Sequence, residues 1–166
     1  MRRLRWPAFL LLPLSASAQI EGRWLEVGHL AVARVTTQWV QVRKSAGSLT
    51  LSRDGEKVQS LQLEIATDPV QSWSAPEHLE RSVRAYRQQH SAEYLQLLAA
   101  ARVNLGFWQG LRFDLGQRDE NGLRWRTRVY QLSQPGRQLS AVFSAPQLYF
   151  FERDLTEIEA MIRSIE

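Results

Sequence analysis

The last third of the chain carries three runs of alternating apolar and polar residues separated by glycine-bearing turns, and little else folds from such a pattern. Phe107, Leu111, Phe113 and Leu115 alternate, as do Leu123, Trp125 and Val129, and again Leu139, Ala141 and Phe143. Successive side chains on a strand point to opposite faces, so this period of two reads as an antiparallel meander. Closing the first hairpin on Asn121-Gly122 alone would set Leu115 against Arg128 and Phe113 against Tyr130. A three-residue loop, Glu120-Asn121-Gly122 with the glycine left-handed, sets Phe113 against Val129 and Asp114 against Arg128. One choice then yields an apolar face and an ion pair. The same test at Gln134-Pro135-Gly136-Arg137 again favours an odd loop, with Val129 opposite Phe143 and Tyr130 opposite Val142. Tyr130, Leu132 and Val142 would then share a second, partly covered face.

Shorter strands precede the meander. His29 to Val42, rich in Val and Thr, reads as one or two of them, and Ser48 to Arg53 and Val58 to Ala66 as two more. An odd loop around Asp54-Gly55 sets Leu49 opposite Leu61 or Leu63 and keeps one face apolar, so these two residues supply turn geometry. After Thr67-Asp68-Pro69 the period changes. Ser74-Ala-Pro-Glu77 is a capping-box sequence, and Leu79, Val83 and Tyr86 fall on one helical face. A further helical run is expected from Ser91 through SAEYLQLLAAAR, with a break near His90 or two helices in series. At the end of the chain Leu155, Ile158, Met161, Ile162 and Ile165 recur at helical spacing, so an amphipathic helix should lie on the sheet.

The opening MRRLRWPAFLLLPLSASAQ has a basic start, a short apolar stretch and Ala16 and Ala18 placed as in an A-x-A cleavage site, which reads as a secretory signal peptide. The apolar stretch falls well short of the roughly 20 residues a spanning helix needs. Residues 1–18 are therefore expected to be removed and 19–166 to form one domain, periplasmic or secreted, with no transmembrane segment. Three of the 21 Lys and Arg leave with the leader, so 18 face 17 Asp and Glu and the formal net falls from +4 to +1. That balance gives no reason to expect nucleic acid. The absence of cysteine excludes thiol catalysis, a lipid-modified cysteine and cysteine metal sites.

The stretches LTLSRDGEKVQSLQL, LRFDL, NGLRWRTRVYQL and SAPQLYFFERDLTEIEAMIRSI resemble those of a group of uncharacterised bacterial envelope proteins, many of them predicted lipoproteins. More distantly, the order of strands, helical middle, meander and closing helix is similar to the PsbP fold. The resemblance implies an α+β fold: a mainly antiparallel sheet with a central helical segment and a C-terminal helix packed on it, in an α/β/α sandwich. It carries no catalytic residues, and its members are mostly accessory, binding or assembly proteins. A lipid anchor does not transfer, because no cysteine follows the leader.

Chemistry is thinly marked. His29, His78 and His90 stand at no metal-ligand spacing, and nucleophile-elbow, zinc-protease and phosphate-loop motifs are missing, so no cofactor or metal is expected. Asp119-Glu120 falls in a turn, and Glu157 with Glu159 on the polar side of a helix, both read as solvated charge. Trp24 and Trp73 lie near element ends where a ligand would stack. Arg124, Arg126 and Arg128 alternate along one strand, with Arg112 and Trp108 expected beside them. Arginine with aromatics is the composition of a contact face for an envelope protein or an anionic ligand. The simpler reading is a solvated face neutralised by Asp114 and Asp119, or arginine stems packed under a helix. The function expected is that of a non-catalytic periplasmic accessory or binding protein, the alternative a hydrolase acting on an envelope substrate.

Overall fold

A computed structural model describes residues 22–53, 59–67, 80–81, 84, 95–148 and 150–166. Strands β1 (Gly22–Val27) and β2 (Ala31–Thr36) form a two-stranded ribbon. Strands β3 (Trp39–Lys44), β4 (Ser48–Arg53), β5 (Ser60–Ala66), β6 (Gln96–Leu105), β7 (Trp108–Arg118), β8 (Arg124–Gln134) and β9 (Arg137–Pro146) form an antiparallel sheet in the order β3-β4-β5-β9-β8-β7-β6. The closing helix α1 spans Phe150–Arg163.

The pattern of buried side chains explains the layering. Leu49, Leu51, Leu61, Leu63 and Ile65 on β4 and β5 join Tyr130, Leu132, Leu139, Ala141 and Phe143 on the sheet face that meets α1. Phe151, Leu155, Ile158, Met161 and Ile162 of the helix complete this core, and Val27, Ala31, Ala33 and Val35 of the ribbon belong to it as well. Burial of a large apolar side chain contributes roughly 1.5–3 kcal/mol, so the helix stripe is a principal source of stability. The opposite sheet face carries a second, smaller cluster of Phe113, Leu115 and Val129 with Leu95, against which Val142 packs.

Several registers agree with the sequence reading. Leu49 faces Leu63, and Leu51 faces Leu61. Phe113 faces Val129 and Asp114 faces Arg128, across a loop of Glu120, Asn121 and Gly122 in which the glycine has φ 79°. Asp119 organises that loop: its Oδ1 accepts from the Asn121 and Leu123 main-chain N–H groups, and its Oδ2 from the Trp125 indole. The turn at Asp54-Gly55 and most of the central helical segment lie outside the described residues; Glu80, Arg81 and Arg84 are helical.

Three expectations are corrected. Gln96–Leu105 is a strand, not the continuation of a helix, because its backbone completes the ladder to β7. Helix propensity, worth at most about 0.7 kcal/mol per ordinary residue, yields to that pairing. The β8–β9 loop is even: Gln134 pairs with Arg137, leaving Pro135 and a Gly136 of φ 77° as the corners. Proline's fixed φ followed by a left-handed glycine suits a type II turn. Val129 therefore faces Val142, Tyr130 faces Ala141, and Phe143 faces Arg128. Lastly, Phe107 sits in the β6–β7 turn, 81% exposed, and Trp108 takes the inward position.

Candidate functional site

Alternation along β8 brings Arg126 and Arg128 to the face that α1 covers. Arg128 sits across from Asp114 of β7 and grips it with both ends of the guanidinium fork, Nε donating to Oδ1 at 2.6 Å and Nη2 to Oδ2 at 2.8 Å. Both side chains are nearly sealed from water. Burial alone would push the Arg128 guanidinium down, but Asp114 and Tyr130 together outweigh it, so the proton is held more tightly than usual. Arg126 donates to Glu152 in the first turn of α1 and lies 3.7 Å from Asp114. The guanidinium carbons of Arg126 and Arg128 lie 4.9 and 5.5 Å from the centre of the Phe151 ring, which stacks in turn on Phe143 at 5.3 Å. The two cations thus pack against the aromatic ring that opens the helix.

Next along β8, the Tyr130 hydroxyl donates to Glu159 of α1 at 3.0 Å. Glu159 also accepts from Arg163, one helical turn on, and stands 3.9 Å from Arg128. Burial raises the Tyr130 phenol well above its ordinary range; Arg128 opposes the shift and Glu159 adds to it. On the other flank of the helix, the buried Asp154 is held by Arg53 of β4 and by Arg153, and Glu157 accepts from Arg53 at 3.0 Å and from Thr36.

The five residues of the expected contact face therefore separate. Trp108 is enclosed in the core, its indole N–H donating to the Ile165 carbonyl at 3.1 Å, so it presents no surface to a partner. Arg128 is buried and Arg126 half-buried, their stems under α1. Arg112 is half-buried on the same face beside Tyr130, and Arg124 is exposed; among the described residues neither enters an ion pair. Leu123 and Leu148, 44% and 80% exposed, stand next to Arg124 at the end of the sheet where β8 begins.

Glu157 and Glu159 are not merely solvated, as their spacing on a polar helix side had implied; they and Glu152 and Asp154 tie the helix to the sheet. A signal for this existed: Asp154 falls on the apolar stripe with Phe151, Leu155 and Ile158, and a buried acid there demands a buried cation. Of the histidines, His29 is exposed and His78 and His90 lie outside the described residues, as does Asp54. Trp24 is 54% exposed, and Trp73 is not among the described residues. No cluster of three or more metal-ligating side chains occurs among the described residues, and no described helix is long and apolar enough to cross a membrane. A shallow hollow of about 270 Å³ is lined by Glu26, Gly28, His29, Ala31, Val32 and Glu166, and of its two acidic residues Glu26 is bound to Lys44 at 2.5 Å.

Among solved structures, the chain is similar to the Ran-binding protein Mog1p of Saccharomyces cerevisiae at 10% identity, covering 88% of this chain and 96% of that one with a TM-score of 0.55. It is similar to the cyanobacterial PsbP protein of Synechocystis at 11% identity, covering 94% and 98%, also with a TM-score of 0.55. The fold is PsbP-like. A protein of Bacteroides thetaiotaomicron matches at 12% identity and a TM-score of 0.56; the alignment covers 82% of this chain but 44% of that one, so this chain spans under half its length. No protein-family model matches the sequence, and no curated relative does.

Proposed function

We propose that the protein is a non-catalytic accessory or binding protein of the bacterial cell envelope, exported by the leader at residues 1–18 and acting in the periplasm. The observation that carries this reading is the use made of the charged groups. The carboxylates that meet the helix–sheet junction are committed to arginines in fixed geometry, which holds α1 in place. A general acid or base needs a proton it can exchange with a bound substrate, and carboxylates clamped in this way are poorly placed for it. What remains turned outward at the end of the sheet where β8 begins, Arg124 with Leu123 and Leu148, has the mixed apolar and cationic character of a protein contact surface. Mog1p, which shares the fold, binds the protein Ran, and this supports a protein-binding use of the scaffold here.

The test has two arms. Expressed with its leader in a Gram-negative host, the protein recovered from the periplasm should begin at Gln19 by intact mass. Crosslinking in that compartment should capture a defined partner with the wild type and lose it with Arg124→Glu, while the melting temperature stays unchanged. A retained leader sinks the envelope assignment; an identical partner list from the variant sinks the contact face.

A further inference from the structure

Where β7 ends and β8 begins, two arginines stand face to face. Arg118 of β7 is the register partner of Arg124 of β8, and both residues are exposed. The main-chain bonds around them set how close they come. The Asp119 N–H donates to the Leu123 carbonyl at 3.0 Å, and the Gln147 N–H donates to the Arg124 carbonyl at 2.9 Å, on the β9 side. Bonded and unbonded pairs alternate along an antiparallel ladder, so Arg118 and Arg124 form an unbonded pair, the kind whose Cα atoms lie about 4.5 Å apart and whose side chains are closest. Like charges directly opposite each other destabilise a sheet. The acids nearby are engaged elsewhere: Asp114 with Arg128, Glu152 with Arg126, and Asp119 with its own loop and the Trp125 indole. Among the described residues neither Arg118 nor Arg124 enters an ion pair, and neither does Glu120 in the turn.

Exposed leucines flank the pair on both sides. A Cβ added at Gly116 would lie 3.2 Å from Leu98 Cδ1, so Leu98, set at the bulge between Leu97 and Ala99, covers Gly116. Gly116 and Arg118, two residues apart on β7, share a face. Leu98 is 43% exposed there, and on the β9 side Leu148, 80% exposed, follows the Gln147 that bonds to Arg124. Across the strands the face reads leucine, arginine, arginine, leucine. We infer that it binds an extended acidic segment of a partner protein, in which one carboxylate has an apolar residue two places away on either side. This rests on the reading of Arg124 with Leu123 and Leu148 as a contact surface, and states what that surface recognises. The spacing sets the pattern. Leu98 to Leu148 crosses three strand intervals of about 4.8 Å each, and four residues of extended chain cover about the same length. With an apolar side chain at each end of that span, the middle residue comes over the Arg118–Arg124 pair and points the same way, because side chains alternate with a period of two. Two guanidinium forks offer a single carboxylate several charge-assisted hydrogen bonds, and its charge offsets their mutual repulsion. An anion with no apolar neighbours, such as a free phosphate, would leave both leucines exposed.

The probe is the peptide Gly-Leu-Ser-Glu-Ser-Leu-Gly, capped at both ends and carrying a neutral dye, so that the glutamate is its one charge. Titrated with the purified protein at low salt, its fluorescence anisotropy should rise to saturation. Exchanging the peptide glutamate for glutamine should weaken binding by about tenfold or more, and so should Arg118→Gln or Arg124→Gln in the protein, the loss expected for a charge-assisted hydrogen bond. Leu148→Ser should weaken it as well, and Arg137→Gln, at the opposite end of the sheet, should not. Because the two arginines repel each other, Arg118→Gln should melt no lower than the wild type in the same buffer, which separates lost binding from lost folding. The absence of saturable binding, equal affinity for the glutamine peptide, or affinity that survives Arg118→Gln overturns the proposal. So does a protein that ignores the peptide but sediments with phosphatidylglycerol vesicles through Arg118. If the peptide fails while Arg124→Glu still loses its crosslinked partner, the contact surface stands and the acidic partner falls.

Discussion

Asp114 and Arg128 show what one pair of residues does for the whole helix–sheet junction. Arg128 lies under Phe151 and beside Glu159, so its charge is neutralised chiefly by the Asp114 carboxylate and not by water. Asp114→Asn keeps the shape and removes the counter-charge. A buried cation left in this way costs about 3–5 kcal/mol, against a typical domain stability of about 5–15 kcal/mol. Urea denaturation should show that loss, whereas Asp114→Leu combined with Arg128→Met should recover most of it, since an apolar pair of similar volume has no charge to desolvate. Tyr130 makes a second residue-scale prediction, on pH. Its phenol ionises near pH 10 in an unfolded chain and holds its proton more tightly in the fold. Stability from this group is therefore complete below about pH 10 and falls as the pH rises above it, by up to about 1.4 kcal/mol per pH unit. Midpoints measured across the alkaline range should fall less steeply for Tyr130→Phe than for the wild type; parallel curves would show that the burial of this hydroxyl does not couple to folding. Arg128 and Asp114 were legible as a pair in the sequence because the hairpin register forces them together. Glu152 and Glu159 were not, because no register relates a helix side chain to a strand.

At the scale of the element, α1 is held by two unlike kinds of contact: an apolar stripe facing β9 and β2, and carboxylates on both flanks reaching arginines of β4 and β8. The stripe is the larger source of stability. Ile158→Ala in its middle should cost about 2–5 kcal/mol in chemical denaturation, and Thr156→Ala on the exposed side should change stability by less than about 0.5 kcal/mol. Equal effects would mean that the helix rests on its flanking ion pairs. The same distinction explains which elements the sequence betrayed. Strands β4, β5, β7 and β8 each have a face buried against a consistent apolar layer, so alternation is written into them and their mutual registers follow. Strand β6 shows most of its first half to solvent on both faces, so it has no alternation to read, and its leucines and alanines pass for helix. At the β8–β9 turn the criterion itself misled. Matching apolar residues across the strands assumes an apolar layer, but the layer beneath α1 mixes Phe143 with Arg128, and the true register sets them opposite each other.

Over the whole molecule, strands β6 to β9 form a meander of neighbours in sequence, and β3 to β5 form another; the two are joined in the sheet by one ladder, β5 with β9. Ser60 pairs there with Ser144 and Ala66 with Gln138, positions far apart along the chain. This ladder bears on how the chain folds. Closing a long loop costs chain entropy before any contact across it repays the cost, so pairings of this kind form late. A chain emerging from its N-terminus completes β3, β4 and β5 while β9 is still to come. During that interval the edge of β5, with Leu61, Leu63 and Ile65 already assembled on one side, waits for a strand, and the seam along it is where a competing chain would add itself first.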